Sequence, residues 1–315
     1  MRLISAQTDA GETLGVVFGE GWRPAADLSA GGPTTIGELL AGGPSALTDL
    51  AAAAASATTN SSSSPAPPVA ASIPLTSTEL LAPVPRPGKI VAIGRNYREH
   101  ADEEGVEAPP APLVFAKFPS SVVGHGAEIR WDPELTAQVD YEAELAVVIG
   151  RRARNVSEAD ALEHVLGYSC LNDVSARDVQ FGDGQWVRGK SLDTFCPIGP
   201  VLVTADEIGD RQDLAISCRV NGELLQDSRT SRMYFGVAAI ISYVSRSFTL
   251  EPGDIIATGT PGGVGVFRDP PRFLSEGDVV TVEIEGIGSL ENTCRYHRAA
   301  DGIAGRAAAG AGSAG

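Results

Sequence analysis

The sequence predicts an α+β fold in which strands dominate, with a small β-rich domain at its N-terminal end. Three observations predict it. Short runs rich in Val and Ile recur along the chain, bounded by Gly, Pro or Asp. Helical patterns are few and short. The strands do not alternate regularly with helices, as a parallel sheet built from βαβ units requires, so antiparallel pairing is favoured.

Met1–Ala6 and Leu14–Phe18 read as strands joined by a hairpin turn at Asp9-Ala10-Gly11. Trp22–Leu28 adds a further strand and Thr35–Leu40 a short helix. Residues 1–50 thus read as the small N-terminal domain, without any reactive constellation. Residues 51–71 are almost entirely Ala, Ser, Thr, Pro and Asn. Such a segment buries too little apolar surface to offset its ordering entropy, so it reads as a flexible insertion, with some helix supported near Leu50–Ala55. Residues 72–88 connect it to a larger domain spanning 89–297. There the strand patterns are Lys89–Ile93, Leu113–Lys117, Leu145–Ile149, Gly167–Leu171, Val201–Thr204, Ile216–Val220 and Val279–Ile284. The helical ones are Tyr97–Glu104, Glu158–Val165, Ser175–Phe181 and Phe235–Ser245. Residues 298–315, ending AAAGAGSAG, read as a flexible tail.

Of 315 residues, 24 are Lys or Arg and 40 are Asp or Glu, a formal charge of −16. That balance excludes a general affinity for nucleic acid or for anionic membrane, both of which need a basic footprint. No run of about 18 apolar residues suggests a membrane span. The first residues lack the charged and then apolar pattern of a secretory leader. Cys170, Cys196, Cys218 and Cys294 form no CxxC pair, which removes zinc-ribbon and thioredoxin readings. Free thiols in a cytoplasmic protein are expected.

The residues with chemical promise are few. In Asp140-Tyr-Glu-Ala-Glu-Leu-Ala-Val-Val-Ile149, Glu142 and Glu144 are two apart, so on a strand they face the same way. Their repulsion is relieved by a divalent cation, which takes hard oxygen ligands; a solvated strand face carrying two acids is the plainer alternative. The apolar run that follows makes an unpaired charge there costly. Asp173 falls between a strand and a helix for which Ser175 resembles an N-cap, with Asp178 as its partner. It could reach a site or simply form the turn. Lys190 and Arg177 are either surface cations or holders of an anionic oxygen. His100 and Glu103 are three apart and share a helix face, as in a base oriented by a carboxylate, or merely face solvent. The polar segment around them, ended by Pro109, Pro110 and Pro112, suits a lid. The Gly-rich Thr258-Gly-Thr-Pro-Gly-Gly-Val-Gly265 lacks P-loop spacing, and no GxGxxG is present, so a turn carrying Thr260 toward a ligand, or a plain hairpin, fits better than nucleotide binding.

Taken together and in order, GRNYREH with Glu103, YEAELAVVIG, GYSCLNDVSARDVQ, GQWVRGKSLDTFCPIGP, RVNGELLQ and EPGDIIATGTPGGVG resemble the fumarylacetoacetate hydrolase family over about Lys89–Tyr296. The resemblance implies a mixed β-roll and a homodimer. It implies one Mg²⁺ per site, with Mn²⁺ or Ca²⁺ as alternatives, held by Glu142, Glu144 and Asp173. Lys190 matches the family's active-site lysine, Gln180 a substrate-contacting glutamine, Thr260 the threonine of the Gly-rich turn, and His100 with Glu103 the water-activating pair. Arg177 and Arg95 are added here as substrate-binding candidates. Large eukaryotic members carry a further acidic ligand shortly before the histidine. Arg95-Asn96-Tyr97 offers none, which favours the smaller subgroup.

The function this implies is a Mg²⁺-dependent enzyme that acts on small anionic 2-oxo acids through a metal-bound enolate. Hydrolysis of a C–C bond or decarboxylation, of acylpyruvate or oxaloacetate type, ranks first because the His100/Glu103 pair is complete. Two alternatives stand beside it: a 2-hydroxyhepta-2,4-diene-1,7-dioate isomerase, and a metal- and 2-oxo-acid-binding protein without turnover. Specificity is expected to depend on Arg98–Ala111 and Arg229–Tyr234.

Overall fold

The computed structural model describes residues 1–59, 72–209 and 212–297. The segment 60–71 and the tail 298–315, both expected to be flexible, lie outside the described residues.

A large, mainly antiparallel sheet forms the body. Its central strands are Arg2–Thr8, Cys196–Thr204, Val165–Asn172, Ala143–Ile149, Ile255–Ala257, Ile90–Gly94 and Leu113–Lys117, in that spatial order. A second sheet orders Glu223–Arg229, Ala215–Val220, Val279–Ile284, Gly288–Tyr296 and Glu128–Trp131. Three pairings are parallel: Ile255–Ala257 with Ile90–Gly94, Gly288–Tyr296 with Glu128–Trp131, and Cys196–Thr204 with the short strand Val122–Val123. This is the mixed, strand-dominated fold that the sequence predicts.

Ala143–Ile149 is buried along its whole length because each face has its own core. Leu145, Val147 and Ile149 pack with Ile216, Cys218, Val282 and Ile284 of the second sheet, and with Ile240, Ile241 and Val244 of the helix Val237–Ser247. Ala146 and Val148 join Leu3, Leu14, Ile36, Leu39 and Leu50 on the other side. Alternation then puts Glu142 and Glu144 on the Ala146/Val148 side, at the end of the strand where that core stops.

The N-terminal strands continue the main sheet: Leu3 pairs with Leu202, and the hairpin turn falls where Asp9-Ala10-Gly11 places it. Several expectations are corrected. The strand after Trp22 stops at Pro24 and gives way to a 3-10 turn over Ala25–Asp27. The helix beginning at Ile36 runs to Thr59, broken once at Gly43 (φ +66°), so residues 51–59 are helical rather than flexible. Leu50 and Ala54 supply the apolar anchor for this stretch, and alanine favours the helix. Glu158–Val165 is not a helix. Only Ala161–His164 makes a 3-10 turn, and Val165 opens a strand paired with Ile149. Ser175 caps nothing: Ser175–Ala176 pairs with Val139–Asp140, the Ser175 hydroxyl donates to Asp173 O, and the helix starts at Arg177.

Gly167 shows how tightly the sheet is drawn. A Cβ there would lie 2.2 Å from the carbonyl oxygen of Val203 on the adjoining strand. Gly167→Ala is expected to lower unfolding stability by about 2 kcal/mol, read from urea denaturation, because the two strands must part. An unchanged midpoint would show that they give way freely.

All four cysteines are free and buried, and burial pushes the thiols of Cys170 and Cys196 up to about 12. No helix among the described residues is long and apolar enough to cross a membrane.

Candidate active site

Strand register assembles the acids. Ala143 pairs with Asn172, the Asn172 side chain accepts from Glu142 N at 3.0 Å, and Asp173 N donates to Glu142 O at 2.9 Å. Asp173 is thereby set beside the glutamates, although it lies some thirty residues on in the chain. Glu142, Glu144 and Asp173 are each at most 5 % exposed, and one oxygen from each falls within 4.8 Å of the others. Glu144 Oε2 accepts from Gly259 N at 2.8 Å. Gly259 has φ +99°, and a Cβ there would meet Asn96 Cβ at 2.8 Å, so the Gly-rich turn needs glycine at this point.

Cations interleave these acids. Lys190 Nζ donates to Glu142 Oε2 at 2.8 Å and to Asp173 Oδ2 at 2.9 Å. Arg177 Nε donates to Asp140 Oδ2 at 2.8 Å, and its NH2 lies 2.7 Å from Glu142 Oε1. Burial alone would raise the Glu142 carboxyl, but Lys190 and then Arg177 outweigh it and hold it at about 2. Glu144 is pushed the other way, by burial first and then by the charges of Asp173 and Glu142. Burial opposes the charge of Lys190, yet Asp173 and Glu142 raise its pKa. Glu144 is thus left facing like charge without a cation of its own. Three crowded, buried carboxylate oxygens with one acid under-neutralised are a donor set that fits a hard divalent ion such as Mg²⁺, Mn²⁺ or Ca²⁺.

Glu142 and Glu144 line a cavity of about 220 Å³ together with His100, Gln180, Thr260, Phe115, Trp186 and Phe267. His100 sits on the helix Arg98–Glu104, entered through Asn96. The Asn96 amide donates to Thr258 O and Phe235 O and accepts from Phe235 N, pinning that entry. His100 Nδ1 is buried without a hydrogen bond and lies 3.7 Å from Glu103 Oε2, while Glu103 Oε1 accepts from Gly263 N at 2.5 Å. Its ring lies 5.9 Å from that of Phe267. Thr260 Oγ1 accepts from Gln226, whose own carbonyl accepts from Ala143 N, tying the Gly-rich turn to the acid strand. Gln180 Oε1 accepts from Arg177. Arg95 lines the mouth but is engaged by Glu104, with Nε at 2.7 Å from Oε2. The Arg229–Tyr234 loop packs on the His100 helix through Arg232–Glu99 and Tyr234 N–Asn96 O.

Eight of the ten residues singled out from the sequence line this cavity; Glu103 is joined to it through His100, and Asp173 through Glu142 and Lys190. Sequence reasoning missed Lys117, Asp140 and Gln226, and with them the aromatic wall of Phe115, Trp186 and Phe267. Lys117 is fully buried, its Nζ 2.6 Å from Asp173 Oδ1 and 3.3 Å from Val174 O, and it also donates to Lys190 O. As the last residue of an apolar strand, Lys117 looks in sequence like a charge emerging into solvent. Gln226 lies in a quoted motif, yet nothing local points it toward Thr260.

Comparison with known proteins bears on the chemistry. A family model described as fumarylacetoacetate (FAA) hydrolase, C-terminal, matches residues 89–295. A mitochondrial oxaloacetate tautomerase of Xenopus laevis is 51% identical over 219 residues, covering 69% of this chain and 68% of its own. Among solved structures, a fumarylacetoacetate hydrolase of the psychrophile Exiguobacterium antarcticum is 38% identical, with TM-score 0.79, over 94% of this chain and 100% of its own. A 2-hydroxyhepta-2,4-diene-1,7-dioate isomerase of Mycobacterium marinum is 35% identical, with TM-score 0.69, over 94% and 98%.

Proposed function

Because the chain belongs to the fumarylacetoacetate hydrolase family and is an enzyme of it, we propose that it interconverts the keto and enol forms of a small 2-oxo dicarboxylic acid, with oxaloacetate the first substrate to test. The observation that carries this reading is a small cavity lined by Glu142 and Glu144 of the buried carboxylate triad and by one imidazole, His100.

Glu142, Glu144 and Asp173 would hold the divalent ion, Mg²⁺ being the expected one. Bound there, it supplies Lewis acidity that draws negative charge toward the keto oxygen of the substrate. This chain's own groups do the rest. Lys190 supplies a point charge for an anionic oxygen, and Gln180 and Thr260 orient the acid. His100 removes a proton from the carbon next to the keto group, the C–H electron pair becomes the new C=C bond, and the keto oxygen takes up a proton to give the enol. The reverse sequence returns the keto acid. Glu103, fixed by Gly263 N, steers the imidazole. Phe115, Trp186 and Phe267 restrict water at the mouth.

Hydrolysis or decarboxylation, ranked first on sequence, remains the second reading. The approach of His100 to Glu103 favours it, because a carboxylate-steered imidazole also activates water. Purified protein with Mg²⁺ separates the two. Accelerated loss of enol absorbance from oxaloacetate without release of CO₂ is the expected result. CO₂ release, cleavage of acetylpyruvate, or turnover of the dienol diacid alone would each replace the proposal with the corresponding reaction. No turnover of any of the three would overturn it. A homodimer is part of the same reading, checked by light scattering, as is a cytoplasmic setting, which the free buried thiols support.

A further inference from the structure

Lys117 is the least expected group in the site. Its side chain is wholly buried, it does not itself line the cavity, and its ammonium is shared between Asp173 and the peptide oxygens of Val174 and Lys190. Burying an ammonium is costly, so a purely structural strut at this point is better made from an apolar side chain. The charge count suggests what the ammonium does.

The buried ionic cluster holds four carboxylates, Asp140, Glu142, Glu144 and Asp173, and three cations, Lys117, Arg177 and Lys190. Formally that leaves one negative charge. A divalent ion turns the balance to one positive charge, enough to attract an anionic ligand. Without Lys117 the same cluster stands at two negative charges, and the divalent ion only brings it to neutrality. At the mouth Arg95 and Glu104 cancel each other and contribute no surplus.

We propose that Lys117 is a positioning and charge-balancing residue. Acting through Asp173 and the Lys190 backbone, it weakens the hold on the divalent ion and in exchange gives the loaded site the surplus positive charge that captures a 2-oxo acid. The inference rests on the function proposed above. It predicts opposite changes in two affinities, whereas loss of a structural strut would weaken both together. Lys117 also clamps Asp173 Oδ1, which leaves Oδ2 as the oxygen that Lys190 engages.

The test is calorimetric titration of the full chain with Mn²⁺ alone, then of the Mn²⁺-loaded protein with oxalate. For Lys117→Met, Mn²⁺ should bind several-fold tighter and oxalate about tenfold weaker. Lys117→Arg keeps the charge and should leave both affinities within about threefold of wild type. A fall in both affinities together, or an unchanged oxalate affinity in Lys117→Met, overturns the proposal. Should Lys117→Met not fold, Lys117→Gln takes its place. If neither folds in chelator, Mn²⁺ in the refolding buffer should restore the folded yield, and failure to do so also overturns it. Failure of the functional reading shows instead in the wild type, as an inability to bind Mn²⁺ or oxalate.

Discussion

Asp173→Asn is expected to reduce turnover of the oxaloacetate enol about a thousandfold or more at saturating Mg²⁺, and to destabilise the fold by about 3 kcal/mol. The first effect follows from removing one of three anionic oxygens that converge on a single point. The second follows from what remains: Lys117 and Lys190 both donate to Asp173, and a neutral amide leaves two buried ammonium groups facing it. Lys190 keeps Glu142 and Lys117 keeps two carbonyls, which holds the loss to the lower end of the usual range for a broken buried ion pair. Steady-state rates and urea denaturation read the two effects separately. Turnover within tenfold of wild type would remove Asp173 from the reactive centre.

His100→Asn should behave differently. It is expected to lower kcat by a factor of about 10² to 10⁴, the usual contribution of a placed acid–base group, while oxalate binds within about threefold of wild type. The distinction rests on position. His100 lines the wall of the cavity and is not one of the three clustered carboxylates, so an asparagine is expected to disturb proton transfer more than capture of the acid. Glu103→Gln, which touches the reaction only through His100, should cost less than His100→Asn. Wild-type rates in His100→Asn would transfer the proton-moving role to another group.

What the sequence reveals depends on how local the signal is. Leu113–Lys117 and Val279–Ile284 are strands over the residues that their Val and Ile pattern marks. The two-residue spacing of Glu142 and Glu144 is enough to put both acids on one side of the strand leading into a buried run. Glu158–Val165 misleads because its apolar spacing suits a helix, while the outcome is decided by pairing of Val165 with Ile149, which no local window contains. Ser175 followed by Asp178 has the form of a cap, yet the backbone there is taken up by Val139–Asp140. The alanine-rich stretch is helical as far as Thr59 because Leu50 and Ala54 reach a core built by distant strands. Lys117 is hidden for the same reason, since its partners lie at Asp173, Val174 and Lys190.

The sheet order also bears on how the protein is made. Arg2–Thr8 leaves the ribosome well before its neighbour Cys196–Thr204, which is synthesised nearly two hundred residues later. At ordinary elongation rates that interval is roughly 10–40 s. During it the Arg2–Phe18 hairpin closes readily, while the edge carrying Leu3 stays open. The strand bearing Glu144 waits in turn for Ile255–Ala257 on one flank. The part of the sheet that carries the acids is therefore completed only after Ile255–Ala257 has been made, and a nascent chain stalled before Ile255 exposes apolar strand edges that a chaperone would recognise.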